Sequence, residues 1–130
     1  MATLKATTVT VRPTGTTAPD VECDISGPDV TDDAVFLNNV DTYDITFLLR
    51  GGGGANPSQF DPANPFANRN AKCPGGKATP QPPCVVTVPP AAPAYDSFTV
   101  QVSPTGNRGV SHYRLNFPGG LSCDPIIIHE

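Results

Sequence analysis

Apolar and polar residues alternate with a period of two along several stretches of the chain, which is the pattern of a β-strand with one buried face. The clearest case lies at residues 43–50, where Tyr43, Ile45, Phe47 and Leu49 share one face. Similar alternation, or a run of β-branched residues, predicts further strands. These lie at residues 3–12, 20–26, 84–88, 95–103 and 109–117, and residues 34–37 form either a short strand or one helical turn.

The end of the chain, residues 109–130, has the pattern of a β-hairpin. Its first arm alternates over residues 109–117, and Pro-Gly-Gly at residues 118–120 supplies the glycines that a tight connection needs. The second arm ends in the apolar residues 126–128. Because Pro125 has no N–H for a ladder hydrogen bond, this arm is predicted to be an edge strand or to contain a bulge.

Length and composition favour one all-β domain. A chain of 130 residues is large enough to bury a core, and 12 glycines with 16 prolines favour short strands joined by turns. No stretch shows helical periodicity. The predicted fold is therefore a single antiparallel β-sandwich of seven or eight strands over residues 1–130, with residues 51–83 as one long Gly/Pro/Asn-rich loop.

Two phenylalanines stand in that long loop. Connections beyond about 15 residues are uncommon in compact domains and are usually functional or disordered. Phe60 and Phe66 are therefore predicted either to fold back on the sandwich or to contact a partner. The functional hypothesis adopted here places them at a partner-binding surface.

Four cysteines allow three disulfide pairings. Cys73 and Cys84 bracket a Gly/Pro-rich segment, which favours a local disulfide between them. Cys23 and Cys123 lie in predicted strands and either pair with each other or remain buried thiols. A zinc site is disfavoured, because the spacings contain no C-x-x-C pair.

The net charge of −4 argues against nucleic acid and anionic membrane as partners, since both require clustered basic residues. No apolar run reaches the roughly 18 residues of a membrane span, and the first residues lack the apolar core of a signal peptide. If the cysteines pair and a signal peptide has been removed, the expected location is extracellular or periplasmic. Otherwise the sequence does not fix the compartment.

The number of short strands resembles that of the immunoglobulin-like fold. Cys23 on the second strand matches one of that family's paired cysteines, and Phe47 would stand where the family has a tryptophan, which this chain lacks. The terminal hairpin is also similar to that of the cupredoxins. Their last loop carries copper ligands, of which this chain has only Cys123, so this resemblance implies a metal-free sandwich.

Candidate chemistry is sparse. Ser111 and His112 are neighbours on a strand and point to opposite faces, so they cannot act as a nucleophile and base, and no catalytic residues are predicted. Asp29, Asp32 and Asp33 lie in an acidic segment between strands, residues 29–44, that could bind calcium. No other cofactor is predicted.

A polar face is the second candidate surface. If the strands beginning at residues 43 and 109 are neighbours, Arg50, His112, Arg114 and Asn116 share one face with Asp44 and Thr46. Such a face suits contacts with protein or glycan, although a solvated surface explains it equally well.

The leading hypothesis is a non-catalytic binding or assembly module. Its contacts would be made by residues 51–83 and by the edge strand at residues 126–128, with another protein or a second copy of the chain as partner, in an oligomer or a filament. The alternative is a domain that binds calcium, a small ligand or a glycan through residues 29–44.

Overall fold

The computed structural model describes residues 3–68, 71–72, 84–104, 109–124 and 126–130. These residues form strands and turns without an α-helix, which confirms the all-β class. The strands are β1 Leu4–Thr17, β2 Asp20–Ser26, β3 Val30–Thr31, β4 Ala34–Leu37, β5 Thr42–Leu49, β6 Phe66–Asn68, β7 Ala71–Lys72, β8 Cys84–Val88, β9 Ser97–Val102, β10 Gly109–Phe117, β11 Leu121–Cys123 and β12 Ile126–His129.

The strands join into one mixed sheet that curls into a nearly closed, barrel-like shape. Their order is β3-β4-β12-β10-β11-β2-β1-β5-β9-β8, with β6 and β7 attached to β10. Three ladders are parallel, namely β1 with β5, β11 with β2 and β12 with β4. The predicted antiparallel β-sandwich of seven or eight strands is therefore not confirmed, because the strands form one mixed sheet. Local alternation identifies a strand but carries no information about the direction of its neighbour.

Strand β1 runs further than its sequence predicted. Pro13 was expected to end it near residue 12, yet pairing with β2 continues to Thr17. The ladder to β5 stops at Val11, so no N–H is needed from residue 13 on that side, and a proline is tolerated there. On the β2 side, a register shift between Pro13 and Gly15 accommodates the missing N–H.

The predicted terminal hairpin is confirmed. Strand β10 pairs antiparallel with β11 and then β12, and Phe117 faces Leu121 while His112 faces Ile126 in the same unbroken register. No residue is inserted between the two pairings, although Pro125 itself lies outside the described residues. Gly119 and Gly120 adopt φ values of 81° and 76°, the left-handed region that favours glycine.

The second arm of the hairpin is not an edge strand, contrary to prediction. Strand β12 pairs with β10 on one side and with β4 on the other. Ile127 at its centre is fully buried. The run of isoleucines at residues 126–128 therefore belongs to a strand that has neighbours at both edges and a centre buried in the core.

Aromatic rings fill the core. The inward face of β5 is the predicted set, and Phe47 stacks against Phe98 with ring centroids 5.2 Å apart. Phe66 lies 4.8 Å from Tyr113 and 5.5 Å from Phe47, again between centroids. Phe60 meets Phe98 edge to face at 4.8 Å. Such ring pairs add about 0.5–1.5 kcal/mol each beyond the area they bury.

The first half of the predicted long loop is therefore part of the fold. Phe60 and Phe66 are both 0% exposed, so they fold back on the sheet, which is the first of the two predicted alternatives. Phe66 opens strand β6, which pairs with β10. Burial of two rings outweighs the entropy lost by ordering the Gly- and Pro-rich chain around them.

Candidate functional site

Strand β8 forms one end of the sheet. Within the described ranges it pairs with β9 alone. Val86 faces the buried Val100 and packs against the core. Val85 and Val88 point outward and are 48% and 57% exposed. An edge strand with exposed valines is a template for another strand.

A groove of about 330 Å³ runs beside this strand. One wall is β8 and the residue that follows it, and the other is the loop segment at residues 62–65. The lining side chains are all uncharged, namely Pro62, Ala63, Asn64, Pro65, Val85, Val86 and Pro89. The groove therefore lies between the last strand of the sheet and the segment that precedes β6.

The loop wall of the groove is fixed by Asn116 on β10. Its side-chain amide donates to the carbonyl oxygen of Asn64 at 2.9 Å, and its backbone N–H donates to Pro65 at 2.9 Å. The Asn116 carbonyl accepts from the N–H of Asp61 at 2.9 Å. Asn116, predicted as a partner contact, thus holds the loop wall of the groove in place.

The edge is short. A register shift between Val86 and Val88 breaks the regular ladder with β9, and Pro89 and Pro90 follow directly. A bulge and prolines are devices that limit pairing at strand edges. Any strand added at β8 could therefore pair over only a few residues.

The predicted polar face does not form. Strands β5 and β10 are separated in the sheet by β1, β2 and β11. Arg50 hydrogen-bonds the carboxylate of Asp96 at 3.3 Å. Arg114 faces Asp124 at 3.6 Å, an exposed ion pair that contributes little stability. His112 lies on β10 and Arg50 directly follows β5, so the same three strands separate them.

The acidic residues predicted to bind calcium lie in a hairpin turn and beside a separate groove. Asp32 and Asp33 have φ values of 50° and 59° and form the two-residue turn between β3 and β4. That pair of positive φ values is typical of a type I′ hairpin turn, where Asp is well tolerated. Asp29 lines a separate groove of about 380 Å³ with Pro28, Thr31, Phe36 and Glu130. In the described part of the chain, no three His, Cys, Asp or Glu side chains converge as a metal site would require.

Asp41 is the acid of the 29–44 segment with the most contacts. Its carboxylate accepts the N–H of Thr3 at 2.9 Å and the side-chain amide of Asn38 at 2.6 Å. Lys5 lies 3.3 Å away. The Thr3 N–H, then the Asn38 amide, and then Lys5 hold the pKa of Asp41 below its usual range, against the opposing effect of burial.

We expect Asp41→Asn to lower the thermal midpoint at neutral pH. Because the folded pKa lies below the unfolded one, the charged carboxylate stabilises the fold above about pH 4, and this contribution is lost as the pH falls through the folded pKa. Thermal melts at decreasing pH should therefore show the wild type and the variant converging in acid. Removing the same charge at exposed Asp24 should leave the midpoint nearly unchanged. A difference in thermal midpoint that stays constant with pH would show that the charge of Asp41 does not stabilise the fold.

Cys23 and Cys123 are free thiols. Cys123 is buried on β11, and Cys23 is partly exposed on β2. Of the two alternatives left open by the sequence, the structure thus shows thiols. Cys73 lies outside the described residues, and so does its predicted disulfide with Cys84.

Comparison with known proteins adds no relative. No family model matches the chain, and neither a curated protein nor a solved structure matches it. No helix in the described ranges is long and apolar enough to cross a membrane.

The residues missed by sequence reasoning are Val85 and Val88. The signal was present, because residues 84–95 contain no charged residue and begin with a β-branched run. What the sequence lacked was the strand order that leaves this run at the end of the sheet.

Proposed function

We propose that this protein is a non-catalytic assembly module that pairs with a second copy of itself through the edge of β8. The observation that carries the proposal is the uncharged edge at Cys84–Val88, with two exposed valines beside a groove free of ionisable side chains. The partner chain would add its own β8 antiparallel to this one, a mode in which backbone hydrogen bonds supply the affinity.

Charge favours a second copy as the occupant. Each chain carries a net charge of −4, so two copies repel unless they meet through a neutral surface. The β8 edge and its groove supply such a surface. An antiparallel pair of identical strands also satisfies two-fold symmetry, because each residue meets the same surface that its counterpart meets.

The size of the interface sets the expected strength. The register shift after Val86 and the prolines at 89 and 90 restrict pairing to a few residues. Interfaces that bury less than about 1,200 Å² are weak or transient. We therefore expect a dimer that forms at roughly tens to hundreds of micromolar chain, which corresponds to about 5–6 kcal/mol.

Light scattering across a concentration series tests the proposal. The wild-type mass should rise from monomer toward dimer as concentration increases. Val85→Lys combined with Val88→Lys should remain monomeric, because lysine on an exposed edge opposes pairing and both positions are exposed enough to leave folding intact.

Leu4→Lys combined with Val40→Lys is the matched control. Both side chains are 59% exposed and lie away from β8, and this variant has the same net charge as the edge variant. It should dimerise like the wild type. A wild type that stays monomeric at all concentrations, or equal loss of dimer in both variants, would contradict the proposal. Binding of an unrelated protein at β8 with no self-association would assign the edge to another partner.

The calcium and glycan alternative gains no support from a specific contact. Asp32 and Asp33 form a turn, and the carboxylate of Asp41 contacts Thr3, Asn38 and Lys5. We therefore place the function at the β8 edge.

A further inference from the structure

A second groove lies toward the end of the sheet opposite β8. Strand β4 carries its aromatic residue, Phe36, and is paired with β3 on one side and with β12 on the other. The groove has a volume of about 380 Å³ and is lined by Pro28, Asp29, Thr31, Phe36 and Glu130. The lining thus combines one aromatic ring with two carboxylates.

Backbone hydrogen bonds place both acidic residues beside Phe36. The Phe36 N–H donates to the Asp29 carbonyl oxygen at 2.7 Å, which extends the ladder of β3 with β4 by one pair. The Glu130 N–H donates to the Leu37 carbonyl oxygen at 2.8 Å. Ile128, two residues before Glu130, faces Phe36 across the ladder. Since facing residues and alternate residues of a strand share one face, Asp29, Phe36 and Glu130 project to the same side.

The groove is negatively charged. Within the described ranges, no Lys or Arg side chain lines it and no ion pair involves Asp29 or Glu130. A metal ion is a poor occupant, because calcium usually takes about six to eight oxygen ligands and no third acidic, His or Cys side chain of the described chain converges here. The charge and the shape therefore favour an organic cation.

The Phe36 ring narrows the class of that cation. This ring is partly exposed, and the face of an aromatic ring attracts positive charge. A guanidinium group is planar, stacks on aromatic rings and donates to carboxylates in a fork, whereas an ammonium group is a point charge. The groove thus suits an arginine side chain between Asp29 and Glu130.

An apolar row leads away from the groove across two further strands. Ile128 on β12 faces Phe36 on one side and Val110 of β10 on the other. Ile128 is partly exposed, and Val110 is 46% exposed. Neighbouring strands lie about 4.8 Å apart, so the row from Phe36 to Val110 is roughly 10 Å long. Alternate side chains of an extended peptide are about 7 Å apart, so an apolar side chain two residues from the arginine would lie over this row.

We propose that this groove binds an extended segment of a partner protein that carries an arginine two residues from a large apolar residue. The apolar row favours a peptide over a free guanidinium compound, which would leave the row uncovered. A second copy of this chain is a poor occupant, because each copy carries a net charge of −4 and the groove is itself acidic. This inference does not depend on the assembly role of β8.

Titration of the isotope-labelled protein with the peptide acetyl-Leu-Ser-Arg-Ser-Leu-amide, followed by NMR amide shifts, tests the proposal. The signals of Asp29, Phe36 and Ile128 should move and saturate with a Kd of roughly 1 mM, as expected of a small exposed site. Replacing the arginine by neutral citrulline should weaken binding about fivefold or more. Replacing both leucines by glycine, or using agmatine alone, should also weaken it, because the apolar row then has no partner.

Two charge-matched variants separate the groove from general attraction to an acidic protein. Asp29→Asn combined with Glu130→Gln should weaken binding of the peptide about tenfold. Glu22→Gln combined with Asp24→Asn removes the same charges at exposed positions on β2, outside the groove lining, and should bind like the wild type. Glu130→Gln alone, at an exposed position, replaces the first variant if thermal melts show that it does not fold.

Four results would overturn the proposal. They are the absence of saturable shifts, equal weakening in both variants, binding of the citrulline peptide or of agmatine as tightly as the arginine peptide, and shifts confined to β8.

Discussion

Phe66→Ala will lower the free energy of unfolding by about 3–5 kcal/mol, the usual cost of deleting a buried ring. Phe66 is fully buried and contacts the rings of Phe47, Phe98 and Tyr113. Since domains of this size are stable by about 5–15 kcal/mol, the loss is a large fraction of the total. Chemical denaturation followed by circular dichroism measures it.

Phe60→Ala should behave in the same way, because the ring of Phe60 packs between Phe98 and Phe117. Val85→Ala, at an exposed position outside the loop, is the control and should change stability by no more than about 0.5 kcal/mol. A loss below about 1 kcal/mol for both phenylalanines would show that the loop does not belong to the core.

Ile127→Lys will prevent folding. Ile127 is fully buried at the centre of β12, between β4 and β10. A lysine there would bury an unpaired charge, which costs several kcal/mol or more. Far-ultraviolet circular dichroism and solubility of the purified variant report the result.

Val85→Lys, on strand β8, is the matched control. It introduces the same charge on an exposed edge and should leave the unfolding free energy within about 0.5 kcal/mol of the wild type. Ile127→Ala, which should cost about 2–5 kcal/mol, gives a measurable value if the lysine variant cannot be purified. Tolerance of Lys at position 127 would mean that β12 is an exposed edge after all.

Strand positions followed closely from the sequence, because side-chain alternation is a local property. The bounds of β2 and β8 match the predicted residues, and the buried face of β5 is the predicted one. The terminal hairpin was also predictable, since its register depends on a short turn whose glycines are visible in the sequence.

The neighbours of each strand were not predictable, because they depend on contacts between distant segments. The parallel pairing of Leu4 with Thr42 and of Ile126 with Ala34 leaves no trace in either segment alone. The isoleucines at the chain end were assigned to an edge because Pro125 lacks an N–H. A missing N–H at residue 125 does not reveal that β4 pairs with the other side of this segment.

The position of the candidate site was not predictable for the same reason. Phe60 and Phe66 stand out in a polar loop, but a ring is stabilised wherever it can reach a core, and the sheet has room for both. Val85 and Val88 lie in an uncharged run that begins with β-branched residues, which predicts a strand but not its place in the sheet. They become a candidate surface only because β8 ends the sheet.

Residue-resolved amide hydrogen exchange at low and high protein concentration tests the central claim most directly. The amides of β12 should exchange slowly at both concentrations, because that strand pairs on both sides. Those amides of β8 that point away from β9 should exchange rapidly in dilute protein and become protected in concentrated protein as the second copy adds its strand. Rapid exchange in β12, or exchange in β8 that does not change with concentration, would contradict the account.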